Sequence, residues 1–150
     1  ILSGLVGSEM CIRDRVATNL HADILSDLAA ALAGSLGIAP TGNIDPERRY
    51  PSMFEPIHGS AFDIMGQGLA NPVGTFWSCV MMLEHLGEHR AAQRLMQAVE
   101  QVTADAALHT RDLGGKATTR QVTDAVCARL RAQTAEAEAQ AEPQAEPVSA

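Results

Sequence analysis

The stretch Phe54–Pro72, FEPIHGSAFDIMGQGLANP, decides how the rest of the chain is read. Gly59, Gly66 and Gly68, with Gly74 just beyond, let the main chain approach a ligand closely, while Glu55, His58, Ser60, Asp63 and Asn71 supply polar side chains. No helical or alternating period runs through it, and irregular segments this long in compact domains usually bind something. Spacing alone does not name the ligand. Gly66-x-Gly68-x-x-Asn71 lacks the third glycine of a dinucleotide fingerprint, and no strand-helix-strand unit surrounds it. Taken singly, His58 fits a structural hydrogen-bonding role, Asp63 a turn acid beside a core Ile64, and Asn71 a helix cap.

Downstream of this loop the pattern turns helical. Asn71-Pro72 reads as an N-cap followed by proline at the first helical position. Val73, Phe76, Trp77, Val80, Leu83 and Leu86 then mark one face of a helix closing at Gly87. A second helix is predicted from Glu88 to His109, with Leu95, Val99, Val102 and Ala106 on its stripe. The turn Arg111–Ala117 carries Asp112 and the pair Gly114-Gly115. Thr118 and Gln121 have capping-box spacing for a last helix bearing Val122, Val126 and Leu130. Residues 132–150, AQTAEAEAQAEPQAEPVSA, offer nothing to bury and are predicted to be disordered.

Upstream, Ser52 to Glu55 reads as a short strand delivering the loop, and Ile38 to Pro51 as irregular because of its turn-forming clusters. Ile24, Leu25, Leu28 and Leu32 recur at helical spacing after Asn19, a good N-cap, and Gly34 or Gly37 ends that helix. Val16 to Thr18 is a further short β-prone run. Asp23 and Asp27, four apart on the helix, project their carboxylates to one side, an arrangement suited to a hard divalent cation. Acids in a first helical turn are equally favoured by the macrodipole without any metal. Residues 1–15, ILSGLVGSEMCIRDR, carry no period, resemble a translated adaptor and are set aside as non-native; a flexible arm is the alternative. Two short strands beside four helices read as edge remnants of a larger sheet, and hence as part of a longer fold.

Composition narrows the function classes. With 150 residues, 46% of them hydrophobic, the chain can bury one core, and a formal charge of -7 leaves no basic stripe for nucleic acid. Cys11, Cys79 and Cys127 fall in no paired or metal-ligand pattern, which favours a reducing, cytoplasmic setting. No apolar run approaches the roughly 18 residues of a membrane span, and Gly4, Gly7, Ser8 and Glu9 break any signal-peptide core. Lys116 and Tyr50 are the only lysine and tyrosine.

NLHADILSD (19–27), MFEPIHGSAFDIMGQGLANP (53–72), MMLEHLG (81–87) and DLGG (112–115) together resemble the C-terminal part of the metal-dependent β-decarboxylating dehydrogenases, the family of isopropylmalate, isocitrate and tartrate or D-malate dehydrogenases. The resemblance spans Val16 to Arg131 and is nearest to the tartrate/D-malate branch. It implies an α/β fold, present as an incomplete, mostly helical C-terminal part over residues 16–131 with few strands and a long nucleotide-binding loop. It makes Asp23 and Asp27 ligands of Mg²⁺ or Mn²⁺, with a monovalent cation such as K⁺ as a further candidate. His58, Gly59, Ser60 and Ala61 become contacts to the adenosine part of a dinucleotide, and Asn71 an adenine partner; Glu55 and Asp112 lie near the same cofactor. Asp63-Ile64 stands where the family chooses between NAD and NADP, and a carboxylate there accepts ribose hydroxyls but repels a 2′-phosphate.

The implied reaction is NAD-dependent oxidation of a small 2-hydroxy acid followed by metal-assisted decarboxylation. The family's substrate arginines, acid-base tyrosine and lysine, and a further metal aspartate are matched by nothing in this chain, and Tyr50 and Lys116 fit none of those motifs. No catalytic residue is therefore assigned here, and the chain alone is expected to be inactive. A homodimer is implied, with the helix around Asp23 near the contact. A 3-isopropylmalate dehydrogenase fragment and a non-catalytic NAD-binding module are the alternatives.

Overall fold

The computed structural model describes residues 17–141, with side chains through residue 136. The adaptor-like segment 1–15 and Val16 lie outside the described residues; residues 17 and 18 are not in a strand.

Helix α1 (Asn19–Ala33) starts one residue earlier than the capping rule suggested: Thr18 holds the extended N-cap conformation and Asn19 is already helical. It ends at the first candidate glycine, Gly34, whose φ of +115° carries its N–H back to the carbonyl of Ala31. Its apolar stripe is not buried. Leu20, Ile24, Leu25, Leu28 and Leu32 are each at least half exposed, and only Ala30 is buried.

A 3-10 turn (Leu36–Ile38) leads to strand β1 (Pro40–Asn43), inside the segment expected to be irregular. β1 pairs antiparallel with β2 (Met53–Pro56), Thr41 opposite Glu55 and Gly42 opposite Phe54. Pro-Thr-Gly-Asn has turn chemistry, but a non-local ladder overrides local propensity in strands. Gly42 permits the pairing, because a Cβ there would sit 3.0 Å from Cδ1 of Phe54. The connecting loop is fastened by Asp45, whose carboxylate accepts the N–H groups of Glu47 (3.1 Å), Arg49 (2.8 Å) and Tyr50 (2.8 Å). The Tyr50 bond is the largest influence on the Asp45 carboxyl; burial, next in size, opposes it, and the bonds from Glu47 and Arg49 with the nearby His85 add to the Tyr50 bond, so that the carboxyl lies below its usual range.

Helix α2 (Val73–Leu86) packs on this hairpin and on α3 (His89–Thr103), which in turn packs on α4 (Thr119–Ala141). The core joins Val73 of α2, Ala98, Val99 and Val102 of α3, Ala117, and Val122 and Val126 of α4. On α2, Val73 and Val80 are buried as expected, whereas Trp77 and Leu86 remain exposed. α3 stops six residues short of the expected His109, because Asp105 caps a separate 3-10 turn (Ala106–Leu108) by accepting the N–H of Ala107 at 2.9 Å. The capping box on α4 is reciprocal: Thr118 N donates to Gln121 Oε1 (2.8 Å) and Gln121 N to Thr118 Oγ1 (3.2 Å). α4 then runs ten residues beyond Arg131, so 132–141 is helical rather than disordered, as Ala, Gln and Glu are strong helix formers even without a face to bury. Residues 142–150 lie outside the described residues.

Candidate functional site

The glycine-rich loop leaves β2, is pinned where Ile57 N donates to Ala39 O (3.1 Å), and turns at Ala61, which sits in the left-handed region at φ +44°. A 3-10 turn (Phe62–Ile64) follows, closed by Gln67 Nε2 donating to Asp63 O at 2.7 Å. The far end is tied to the start of α4: Thr119 N donates to Gly68 O (2.9 Å) and Thr119 Oγ1 to Ala70 O (2.5 Å). Anchored at both ends, the loop forms one side of a groove of about 780 Å³. The groove is lined by His58, Gly59, Ala61 and Ile64, by Leu69 to Asn71, by the turn Ser35 to Gly37, and by Arg111 and Asp112, the last of which meets that turn.

Asp112 is the polar hub of the groove. Its Oδ2 accepts from the Ser35 hydroxyl and from Asn71 Nδ2 (3.0 Å), and its Oδ1 from Thr110 Oγ1 (2.5 Å). Burial opposes ionisation of Asp112, but the bonds from Ser35, Thr110 and Asn71 outweigh it and hold the carboxyl below its usual range. Asn71 is nearly enclosed, and both ends of its amide are used, since Oδ1 also accepts Val73 N at 3.0 Å. The expected capping role is thus present, although Pro72 rather than Asn71 occupies the cap position.

The structure therefore gathers His58, Gly59, Ala61, Ile64, Asn71 and Asp112 around one groove. Ser60, Asp63 and Glu55 do not line it: Ser60 and Asp63 are exposed on the loop, and Glu55 is exposed on β2. Asp23 and Asp27 stand exposed on α1, away from the groove lining. Neither carboxylate is engaged in a salt bridge among the described residues, where no group of three His, Cys, Asp or Glu is placed to hold a metal. The two aspartates thus suit part of a cation's oxygen shell and not all of it.

Sequence reasoning missed Ser35, Leu36, Gly37 and Arg111. Gly37 was legible only as a candidate helix end and Ser35 not at all, yet a serine two residues before a glycine is also the spacing of a side-chain turn, and Ser35 Oγ accepts Gly37 N at 2.9 Å. The groove is mostly apolar, with a few convergent polar groups, which suits a flat ring carrying a limited number of hydrogen-bonding atoms. A Cβ at Gly59 would meet nothing within 4 Å, so ligand atoms can come against that backbone.

Comparison with known proteins gives one consistent picture. Residues 3–126 match the family described as isocitrate/isopropylmalate dehydrogenase, a match that begins within the stretch set aside as adaptor-like. A "Probable tartrate dehydrogenase/decarboxylase" of Agrobacterium vitis is 76% identical over 112 residues, 75% of this chain and 31% of the relative. The "D-malate dehydrogenase [decarboxylating]" of Escherichia coli (strain K12) is 50% identical over 117 residues, 75% of this chain and 32% of the relative. Among solved structures, isocitrate dehydrogenase from Methylococcus capsulatus matches with a TM-score of 0.70 at 44% identity, covering 76% of this chain and 33% of that one. The chain spans a little under a third of the length of the curated relatives it matches.

Proposed function

The chain belongs to the isocitrate/isopropylmalate dehydrogenase family, and on that premise we propose that it is the adenosine-binding part of an NAD-dependent decarboxylating dehydrogenase acting on tartrate or D-malate. The observation that carries this reading is the groove itself, where His58, Gly59, Ala61, Asn71 and Asp112 meet around an apolar space of about 780 Å³. The names of the relatives, tartrate dehydrogenase/decarboxylase and D-malate dehydrogenase, supply the substrate class.

When bound, NAD would accept a hydride from the 2-hydroxy acid and a divalent cation would draw electron density from the substrate oxygens. The residues of this chain bind and orient. The backbone at Gly59, open on its ligand side, approaches the adenosine, with Ser60 and Ala61 following it and His58 held by its Nδ1 against Gly59 O at 2.9 Å. Ile64 and Leu69 supply apolar walls for the base, beside Asn71 and Asp112. Asp63, exposed on the loop, accepts the ribose hydroxyls and repels a 2′-phosphate, which selects NAD over NADP. Glu55, exposed on β2 where the loop begins, lies near the same cofactor in this reading. Asp23 and Asp27 hold Mg²⁺ or Mn²⁺ from one side only, K⁺ being a further candidate cation, and the remaining oxygen ligands come from elsewhere.

The assembled enzyme is a homodimer in this reading, with the exposed stripe of α1 covered at or near the subunit contact. A cytoplasmic setting fits Cys79 and Cys127, which are free thiols. Among the described residues no helix is long and apolar enough to cross a membrane. Because Tyr50 and Lys116 match no acid-base motif, the chain alone is inactive, and NADH formation from tartrate or D-malate by the purified chain would refute that.

Calorimetry with NAD and NADP, with and without Mn²⁺, tests the cofactor assignment. The expected result is binding of NAD in preference to NADP, with the preference narrowed or reversed by Asp63→Lys. Equal binding of the two, or binding of neither, overturns the reading.

A further inference from the structure

Ser35 has no role in the reading above, yet it is buried at the junction of three segments that line the groove. Its hydroxyl donates to Asp112 Oδ2, across 77 residues of sequence, and accepts the N–H of Gly37 at 2.9 Å. The fit around it is close. A Cβ added at Gly37 would lie 2.9 Å from Asn71 Cβ, 3.1 Å from Asp112 Oδ2 and 3.2 Å from Ser35 Oγ. The same Asp112 oxygen receives Asn71 Nδ2 at 3.0 Å, so one hydroxyl fixes the Leu36–Gly37 turn relative to the two polar groups opposite it. A buried hydroxyl with both a donor and an acceptor bond satisfied is strongly held in place.

We propose that Ser35 is a positioning residue: through Asp112 it sets the spacing of the groove between the Leu36–Gly37 turn and Asn71, and so the affinity for the adenosine part of the cofactor. The proposal rests on the reading of the groove as a nucleotide site. Removing the hydroxyl leaves Gly37 N without its acceptor and Asp112 with one donor fewer, and lets the two sides part. The other titratable or charged groups facing the groove are His58 and Arg111, both exposed on its walls, and neither bonds to Asp112 among the described residues.

The test uses the full chain, titrated with NAD by calorimetry as wild type, Ser35→Ala and Ser35→Thr, alongside carbon NMR titration of the Asp112 carboxyl in each. The expected result is a Kd raised about tenfold in Ser35→Ala, the equivalent of one lost hydrogen bond, with recovery in Ser35→Thr, which keeps the hydroxyl. Asp112 should titrate at higher pH in Ser35→Ala than in wild type. Unchanged affinity, or weakened affinity with an unmoved Asp112 titration, overturns the proposal. Failure of the wild-type chain to bind NAD instead overturns the nucleotide reading and with it the affinity role, whatever the Asp112 titration does. Should Ser35→Ala not fold, Ser35→Cys, close in size and a weaker donor, takes its place under the same criteria.

Discussion

The carboxylate of Asp112 collects donors from three separate segments, at Ser35, Asn71 and Thr110, and its behaviour with pH follows from that. Because its folded pKa is depressed, its contribution to stability is fully present above the unfolded value of about 3.9 and is lost as pH falls through the folded one. Asp112→Ala is expected to lower stability by about 1 kcal/mol near neutrality, a charged hydrogen-bond value reduced for the exposure of the side chain. Urea unfolding across the acid range checks this: the gap between the two proteins should narrow and then close as pH falls through the depressed folded pKa of Asp112. Gly115 gives a sharper steric case. A Cβ there would run into the carbonyl of His109, which is backbone and cannot swing away, so Gly115→Ala should cost more than about 3 kcal/mol by thermal unfolding.

At the scale of elements, the hairpin and the helix ends behave differently. The box at the head of α4 is a local device, and Thr118→Ala should destabilise the chain by about 1 kcal/mol in a denaturant titration. It was legible in the sequence because its two residues are three apart and need no distant partner. β1 was not legible: Pro40 to Asn43 becomes a strand only because β2 supplies the ladder from ten residues beyond its end. The end of α3 was misjudged for a related reason, since Asp105 diverts the chain into a separate turn while the apolar residues beyond it keep an approximately helical period. The stripe on α1 was read correctly as a stripe, but its being buried depends on what lies against it, and in this chain nothing among the described residues covers it.

The whole molecule combines a packed body, α2 to α4 around Val99, Val102, Val122 and Val126, with a helix whose apolar face is open. Two variants separate these parts. Val126→Ala, at a position with no exposed surface, should cost about 2 kcal/mol. Leu28→Ser, on a half-exposed site, should change stability by less than about 0.5 kcal/mol while reducing any self-association seen by sedimentation velocity; an unchanged sedimentation profile in a chain that does self-associate would remove α1 from the contact. The sequence by itself determined the helical character of most of the chain, because apolar periods and caps are local signals, and the family, through four ordered motifs; His58, Gly59, Ala61, Ile64, Asn71 and Asp112 entered only as what that resemblance implies, and the fold brings them to one groove. Tertiary structure alone decided that Ser35 and Gly37 face Asp112, and that Asn71 spends its amide on holding the groove. Those relations join residues tens of positions apart, and only the packing of the chain brings their atoms within hydrogen-bonding distance.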